Sequence, residues 1–160
     1  MNYARLPHDT KLFENGRSIT HAGGSRAVLV LHGWTGWTGR LAYLGERLAT
    51  AGFTVRIPRL PGHGSNVPDL LLSTWRDWLR RAIDEYLDLR DQNESVYVAG
   101  SSMGSVLTAI IGALFEVERV ALLAPAFLAK NPFLWMAPLV HPFLPRIPSD
   151  WDAANDPDPN

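Results

Sequence analysis

The sequence predicts an α/β fold, a mostly parallel sheet with helices on both faces. Three observations point there. Ala27-Val28-Leu29-Val30-Leu31, Val96-Tyr97-Val98-Ala99 and Val120-Ala121-Leu122-Leu123-Ala124 are apolar, β-rich runs of strand length. Such runs suit strands buried on both faces of a parallel sheet. Segments with helical spacing separate them, which implies parallel pairing through right-handed crossovers. Finally, Gly100-Ser101-Ser102-Met103-Gly104 leads straight from one of these runs into a helix-forming segment, a sharp strand-to-helix turn.

Each element has a local justification. The first twenty-five residues are polar with turn signals at Asn15-Gly16 and Gly23-Gly24, and are expected to form edge strands or an arm. His8 and His21 lie in this arm and are expected to be solvated. After the strand at 27–31 comes a glycine-rich loop, His32-Gly33-Trp34-Thr35-Gly36. Leu41, Leu44 and Leu48 then recur at helical spacing, and Gly52 is placed to stop that helix. Phe53–Ile57 is a second strand, closed by Pro58 and followed by the loop Arg59–Ser65. Ser73 or Thr74 caps the next helix, with Asp77 completing a capping box from Thr74. Its buried stripe is read as Trp75, Trp78, Leu79, Ala82, Ile83 and Tyr86; Arg76, Asp77, Arg80, Asp84 and Asp88 face water. A helix from Met103 to about Phe115 precedes the last run, expected as one more buried strand. Residues 1–125 are thus read as the N-terminal part of the core. Residues 126–160 are read as a proline-rich, apolar cap or lid with a polar tail, because eight of the twelve prolines fall between Pro125 and Pro159.

Composition narrows the function classes. One domain with a sizeable core fits within 160 residues, 46% of them hydrophobic. Fifteen basic against sixteen acidic side chains give a net charge of −1 without a basic stripe, which argues against nucleic acid as a partner. The absence of cysteine excludes disulfides and thiolate metal ligands and fits a cytoplasmic protein. No signal-peptide h-region opens the chain, and no apolar run approaches the roughly 20 residues of a membrane span. The histidines are too scattered for a metal site, so none is expected.

Three motifs stand in order: His32-Gly33-Trp34-Thr35-Gly36, Pro61-Gly62-His63-Gly64-Ser65 and Gly100-Ser101-Ser102-Met103-Gly104. The last fits G-x-S-x-G, in which a serine sits on a strained turn with its hydroxyl above the sheet edge. Together they resemble the α/β-hydrolase family, and within it bacterial carboxylesterases and monoacylglycerol lipases. The likeness covers about residues 25 to 125. It departs from the family's P-G-H-G-x-S loop at Asn66, where serine is usual.

The resemblance implies roles. Ser102 would be the nucleophile, and the backbone N–H groups of Trp34 and Met103 would form the oxyanion hole. Gly100 and Gly104 would let strand and helix approach, while His32, Gly33 and His63 would support the loops. In the family order of serine, acid, histidine, the base must follow Ser102, so His32 and His63 are rejected as bases. His141 alone follows, inside the cap, and is a poor candidate. Of the later acids, Glu116, Glu118, Asp150, Asp152, Asp156 and Asp158, none follows a predicted sheet strand. The expectation is therefore a chain that stops in or just after the cap, with the C-terminal strands and the acid and base of the triad missing, and an exposed apolar edge beyond the last strand.

The function expected is hydrolysis of carboxylic esters, with acyl-chain or monoacylglycerol-like substrates, through an acyl-enzyme on Ser102. Phe127, Trp135 and Met136 would line the substrate pocket, and this chain alone would be inactive. A C-terminal complementing segment or a dimer partner would restore what is missing. No cofactor is implied. Alternatives stay open: a thioesterase or a C–C bond hydrolase of the same fold, and a non-catalytic binding module presenting Trp34, Trp37 and Trp135.

Overall fold

The computed structural model describes residues 10–127. Five strands form one sheet in the order β1-β3-β2-β4-β5: β1 Ile19–His21, β2 Arg26–Leu31, β3 Thr54–Ile57, β4 Ser95–Ser101 and β5 Arg119–Leu123. β1 pairs antiparallel with β3, and every other pairing is parallel. The helices are α1 Ala42–Thr50, α2 Val67–Leu72, α3 Trp75–Gln92 and α4 Met103–Leu114, with a 3-10 turn at Thr38–Leu41.

β2 shows why uninterrupted apolar runs were read as doubly covered strands. Successive side chains point to opposite faces, and both faces are buried. Ala27, Leu29 and Leu31 pack with Val96 and Val98 of β4 beneath Trp78, Ala82, Tyr86 and Leu89 of α3 and Leu107 and Ile111 of α4. Val28 and Val30 face the other way, with Val55, Ile57 and Ala99, against Leu41, Leu44 and Leu48 around α1. Helices therefore cover both faces, as expected. α1 ends where Gly52 takes φ +87°, with Gly52 N–H bonded to Ala49 O and Phe53 N–H to Leu48 O. That is a Schellman stop, in which glycine supplies the left-handed residue. At the start of α3, the Asp77 carboxylate accepts from both the N–H and the hydroxyl of Thr74, each at 2.8 Å, closing the expected capping box. These bonds, the hydroxyl's first, lower the Asp77 pKa.

Three expectations need correction, and one buried residue was passed over. Val120–Ala124 was expected buried, but all five residues of β5 are exposed. Among the described residues it is the outermost strand, bonded only to β4, and beside it an apolar groove of about 270 Å3 opens, lined by Leu44, Leu48, Phe53, Tyr97, Ala121 and Leu123 among others. Trp75 is 52% exposed instead of joining the buried stripe. It is the first residue of α3, a turn ahead of the helix's contact with the sheet, and the Arg76 guanidinium stacks 4.7 Å over its ring. The apolar stripe passed over Glu85, which is buried and held by Arg56 at 2.8 Å and Arg81 at 2.5 Å. His21, expected to be solvated, is only half-exposed: on β1, its Nε2 is buried, without a hydrogen-bond partner, near Gly45 of α1. The N-terminal stretch does form an edge strand there. An unexpected short helix, α2, follows the Pro61–Ser65 loop. Asn66 caps it by accepting the Asp69 N–H at 3.0 Å. Asparagine and serine are both strong N-caps, so the Asn66 departure preserves this local job. No described helix is long and apolar enough to cross a membrane.

Candidate active site

Ser102 occupies the turn between β4 and α4 with φ 54° and ψ −117°. For a non-glycine residue that conformation is strained and persists only when its surroundings over-determine it. They do. Ser102 N–H is bonded to Leu123 O of β5 at 2.9 Å, and Ser105 N–H to Ser102 O at 3.0 Å. The wholly buried Ser105 hydroxyl lies 2.6 Å from Gly100 O and 3.0 Å from Leu123 O, tying strand, turn and helix together. A methyl group on Gly100 would strike the backbone of Gly104, and one on Gly104 would strike Leu31 O, so both positions require glycine. Ser105 escaped sequence reasoning: it stands inside a helical run, and nothing local marks it.

The His32–Gly36 loop lies against this turn. A methyl group added at Gly33 would sit 3.1 Å from Ser102 Cβ and 3.6 Å from its Oγ. Gly36 N–H bonds Gly33 O at 3.1 Å, and Thr35 at φ 56° donates its hydroxyl to Trp34 O at 2.6 Å. The loop and the start of α4 thus flank one serine. A helix's first N–H groups have no intrahelical acceptor, so the Met103 N–H at that end is suited to developing negative charge, with the helix dipole in support.

The two loop histidines are committed to the scaffold. His32 is buried, and its Nε2 accepts the Leu60 N–H at 3.2 Å. Because that N–H can only donate, the ring proton sits on Nδ1 and is given to Gly33 O at 3.1 Å. Burial, first of all, lowers its pKa to about 4; the bond to Gly33 opposes this, and His63 and Arg59 add to it. His63, also buried, donates from Nδ1 to Pro61 O at 3.0 Å, which leaves a buried Nε2 lone pair without a partner. Desolvation lowers its pKa as well. The rings of His32 and His63 lie 5.0 Å apart. Trp34 and Trp78 complete an aromatic cluster with His63. Trp78, read in the sequence only as core, donates its Nε1–H toward Pro61 O and Ser73 Oγ, each at 3.0 Å.

Of the other expected site residues, Phe127 is 53% exposed, while Trp135, Met136 and His141 lie outside the described residues, as does His8. Trp37 packs edge-on against Phe13 at 5.4 Å under the Arg40 guanidinium. Among the described residues, no acid or base bonds to Ser102 Oγ, and no group of three or more potential metal ligands occurs.

The model of the alpha/beta hydrolase family matches residues 28–159. The thermostable monoacylglycerol lipase of Bacillus sp. (strain H-257) is 39% identical over 85 residues, 53% of this chain and 34% of that protein. The carboxylesterase of Bacillus subtilis (strain 168) is 32% identical over 105 residues, 65% of this chain and 43% of that one. Among solved structures, one from a study of the metagenome-derived lipolytic enzymes LipS and LipT superposes with a TM-score of 0.75 at 29% identity. That match covers 86% of this chain and 56% of the other. The chain therefore spans less than half the length of the two curated relatives.

Proposed function

The chain belongs to the alpha/beta hydrolase family, and from that premise we propose that it carries the nucleophile half of a serine hydrolase acting on carboxylic esters. The observation that carries the reading is the strained Ser102 at the head of α4, with Gly33 lying against its Cβ. In this reading Ser102 Oγ attacks the acyl carbonyl. The carbonyl oxygen becomes an oxyanion received by the N–H groups of Trp34 and Met103, and the alcohol leaves with a proton. Water then releases the acid from the acyl-enzyme. The general base and its acid partner are supplied from outside residues 10–127, since His32 and His63 are engaged in the scaffold and held neutral. Substrates with an acyl chain, as in monoacylglycerols, fit the names of the relatives. No cofactor is required.

The test is covalent labelling. A fluorophosphonate probe labels the full-length protein, and Ser102→Ala abolishes it. Absence of labelling in the full-length protein overturns the hydrolase reading in favour of a non-catalytic module of the same fold. A thioesterase would label equally; turnover of matched oxygen and thiol esters separates the two.

A further inference from the structure

We propose that Trp78, on α3, is the positioning residue of the His32–Gly36 loop, and that it sets where the Trp34 backbone N–H stands relative to Ser102. The inference rests on the hydrolase reading only in making that N–H an oxyanion donor.

Within Gly33–Gly36, Gly33 O takes the Gly36 N–H and the Nδ1–H of His32, which is itself held by the Leu60 N–H, while at Trp34 the bond is local, from the Thr35 hydroxyl to Trp34 O. Two of the four residues are glycines, and Thr35 sits at φ 56°. The loop is therefore anchored at its Gly33 end, and its Trp34–Thr35 part gains little rigidity from bonds of its own. Trp34 carries the one ring of these four residues, and although 53% exposed it is not loose. It meets Trp78 edge-on with centroids 5.1 Å apart, and His63 at 6.2 Å. Edge-to-face contacts of this kind are directional as well as apolar.

Trp78 is built to be the fixed member. It is 6% exposed, lies on an 18-residue helix packed on the sheet, and also meets His63 at 5.3 Å. Its single indole N–H is shared between Pro61 O and Ser73 Oγ, which pins the ring's rotation about χ2. Pro61 O accepts the His63 Nδ1–H as well. One indole thus locks α3, the Pro61–Ser65 loop and the Trp34 ring to one another. An oxyanion donor must lie about 2.7–3.1 Å from where the charge will appear, so the placement of Trp34 has catalytic weight although Trp78 touches no reacting atom.

The test uses full-length protein labelled with [15N]tryptophan, in three variants: Trp78→Leu, Trp78→Phe and, as control on the exposed neighbour, Trp75→Leu. The first readout is the backbone order parameter of Trp34, which ring-current shifts do not disturb. It should be near the rigid value of about 0.85 in the parent and the Trp75→Leu control, and fall toward about 0.6 in both Trp78 variants. The second is the rate of fluorophosphonate labelling. Trp78→Leu should slow it about ten- to a hundredfold, the scale of an ångström's misplacement. Trp78→Phe should recover part of that loss, and the control should match the parent. An unchanged Trp34 order parameter in a folded Trp78→Leu, or labelling at the parent rate, overturns the proposal; should the leucine variant not fold, the same criteria apply to Trp78→Phe. Loosening of Trp34 in a protein whose parent never labels supports the anchoring and removes the hydrolase reading instead.

Discussion

β2 and β5 flank the same strand and are built from nearly the same residues, yet they live in different surroundings. Between Ala27 and Leu31 no β2 residue is more than 5% exposed; on β5, Val120, Leu122 and Leu123 are 45%, 37% and 45% exposed. β2 is bonded on both edges and roofed on both faces. Among the described residues β5 is bonded on one edge, and it faces an open apolar groove. The turn that carries Ser102 is suspended between them, touching the end of β2 through Gly33 and Gly104 and the end of β5 through Leu123 O. Position in the sheet, not composition, decides how much each apolar side chain contributes.

Two glycines of α4 break the comparison open most sharply. Gly104 faces the end of β2, where an added methyl would strike Leu31 O and lie 2.7 Å from His32 O, both backbone atoms that cannot step aside. Gly104→Ala should cost at least ~3 kcal/mol or prevent folding. Gly112 faces β5, where a methyl would meet only Val120 Cγ1 at 3.0 Å, on an exposed side chain free to turn. There the gain in helix propensity, up to about 1 kcal/mol, should leave Gly112→Ala neutral or stabilising. Urea unfolding of both variants decides the matter. A Gly104→Ala protein as stable as the parent would mean that turn and strand are not in this contact.

The same contrast holds for the strands' own leucines. Leu29, wholly buried, sits in the cluster under α3 and α4. Leu29→Ala should lose about 2–5 kcal/mol, the transfer of the side chain plus the cavity it leaves. Leu122→Ala on β5 should lose under about 1 kcal/mol. Equal losses would show that β5 is covered in solution.

What was legible in the sequence was whatever is written in local pattern. The strand runs, the capping box at Thr74 and Asp77, the stop at Gly52 and the close approach at Gly100 and Gly104 each follow from residues within a few positions of one another. An exposed edge beyond β5 was expected, but the exposure of the strand's own side chains was not legible, because an apolar strand reads alike whether or not a neighbour covers its faces. Trp75 and Glu85 were misplaced or passed over because helical periodicity names a face but not where along the helix the sheet begins, nor that Arg56 waits on a distant strand. The links from Trp78 to Pro61 and from Ser105 to Leu123 join segments 17 and 18 residues apart. Those are tertiary contacts made by residue types with ordinary secondary-structure roles.

The comparison extends past the strands' ends and there becomes a dependence on pH. β5 runs out at Leu123 and Ala124, which do not titrate, whereas β2 runs into His32. Folded, His32 accepts a proton only at about pH 4, because burial penalises the imidazolium; unfolded, it accepts one near 6.5. Acid therefore favours the unfolded chain. The penalty begins as pH falls below 6.5 and is complete below 4, and His63 adds to it in the same direction. From pH 7 to pH 5 the His32 contribution alone should remove about 2 kcal/mol. Urea midpoints for the parent and His32→Asn at the two pH values isolate it. Asparagine retains polar groups for the Leu60 N–H and Gly33 O but cannot take up the proton. The variant should be less stable at pH 7 and lose less on going to pH 5. An acid sensitivity identical to the parent's would mean that the end of β2 is open to water, which would erase the contrast with β5 at the point where both meet the serine.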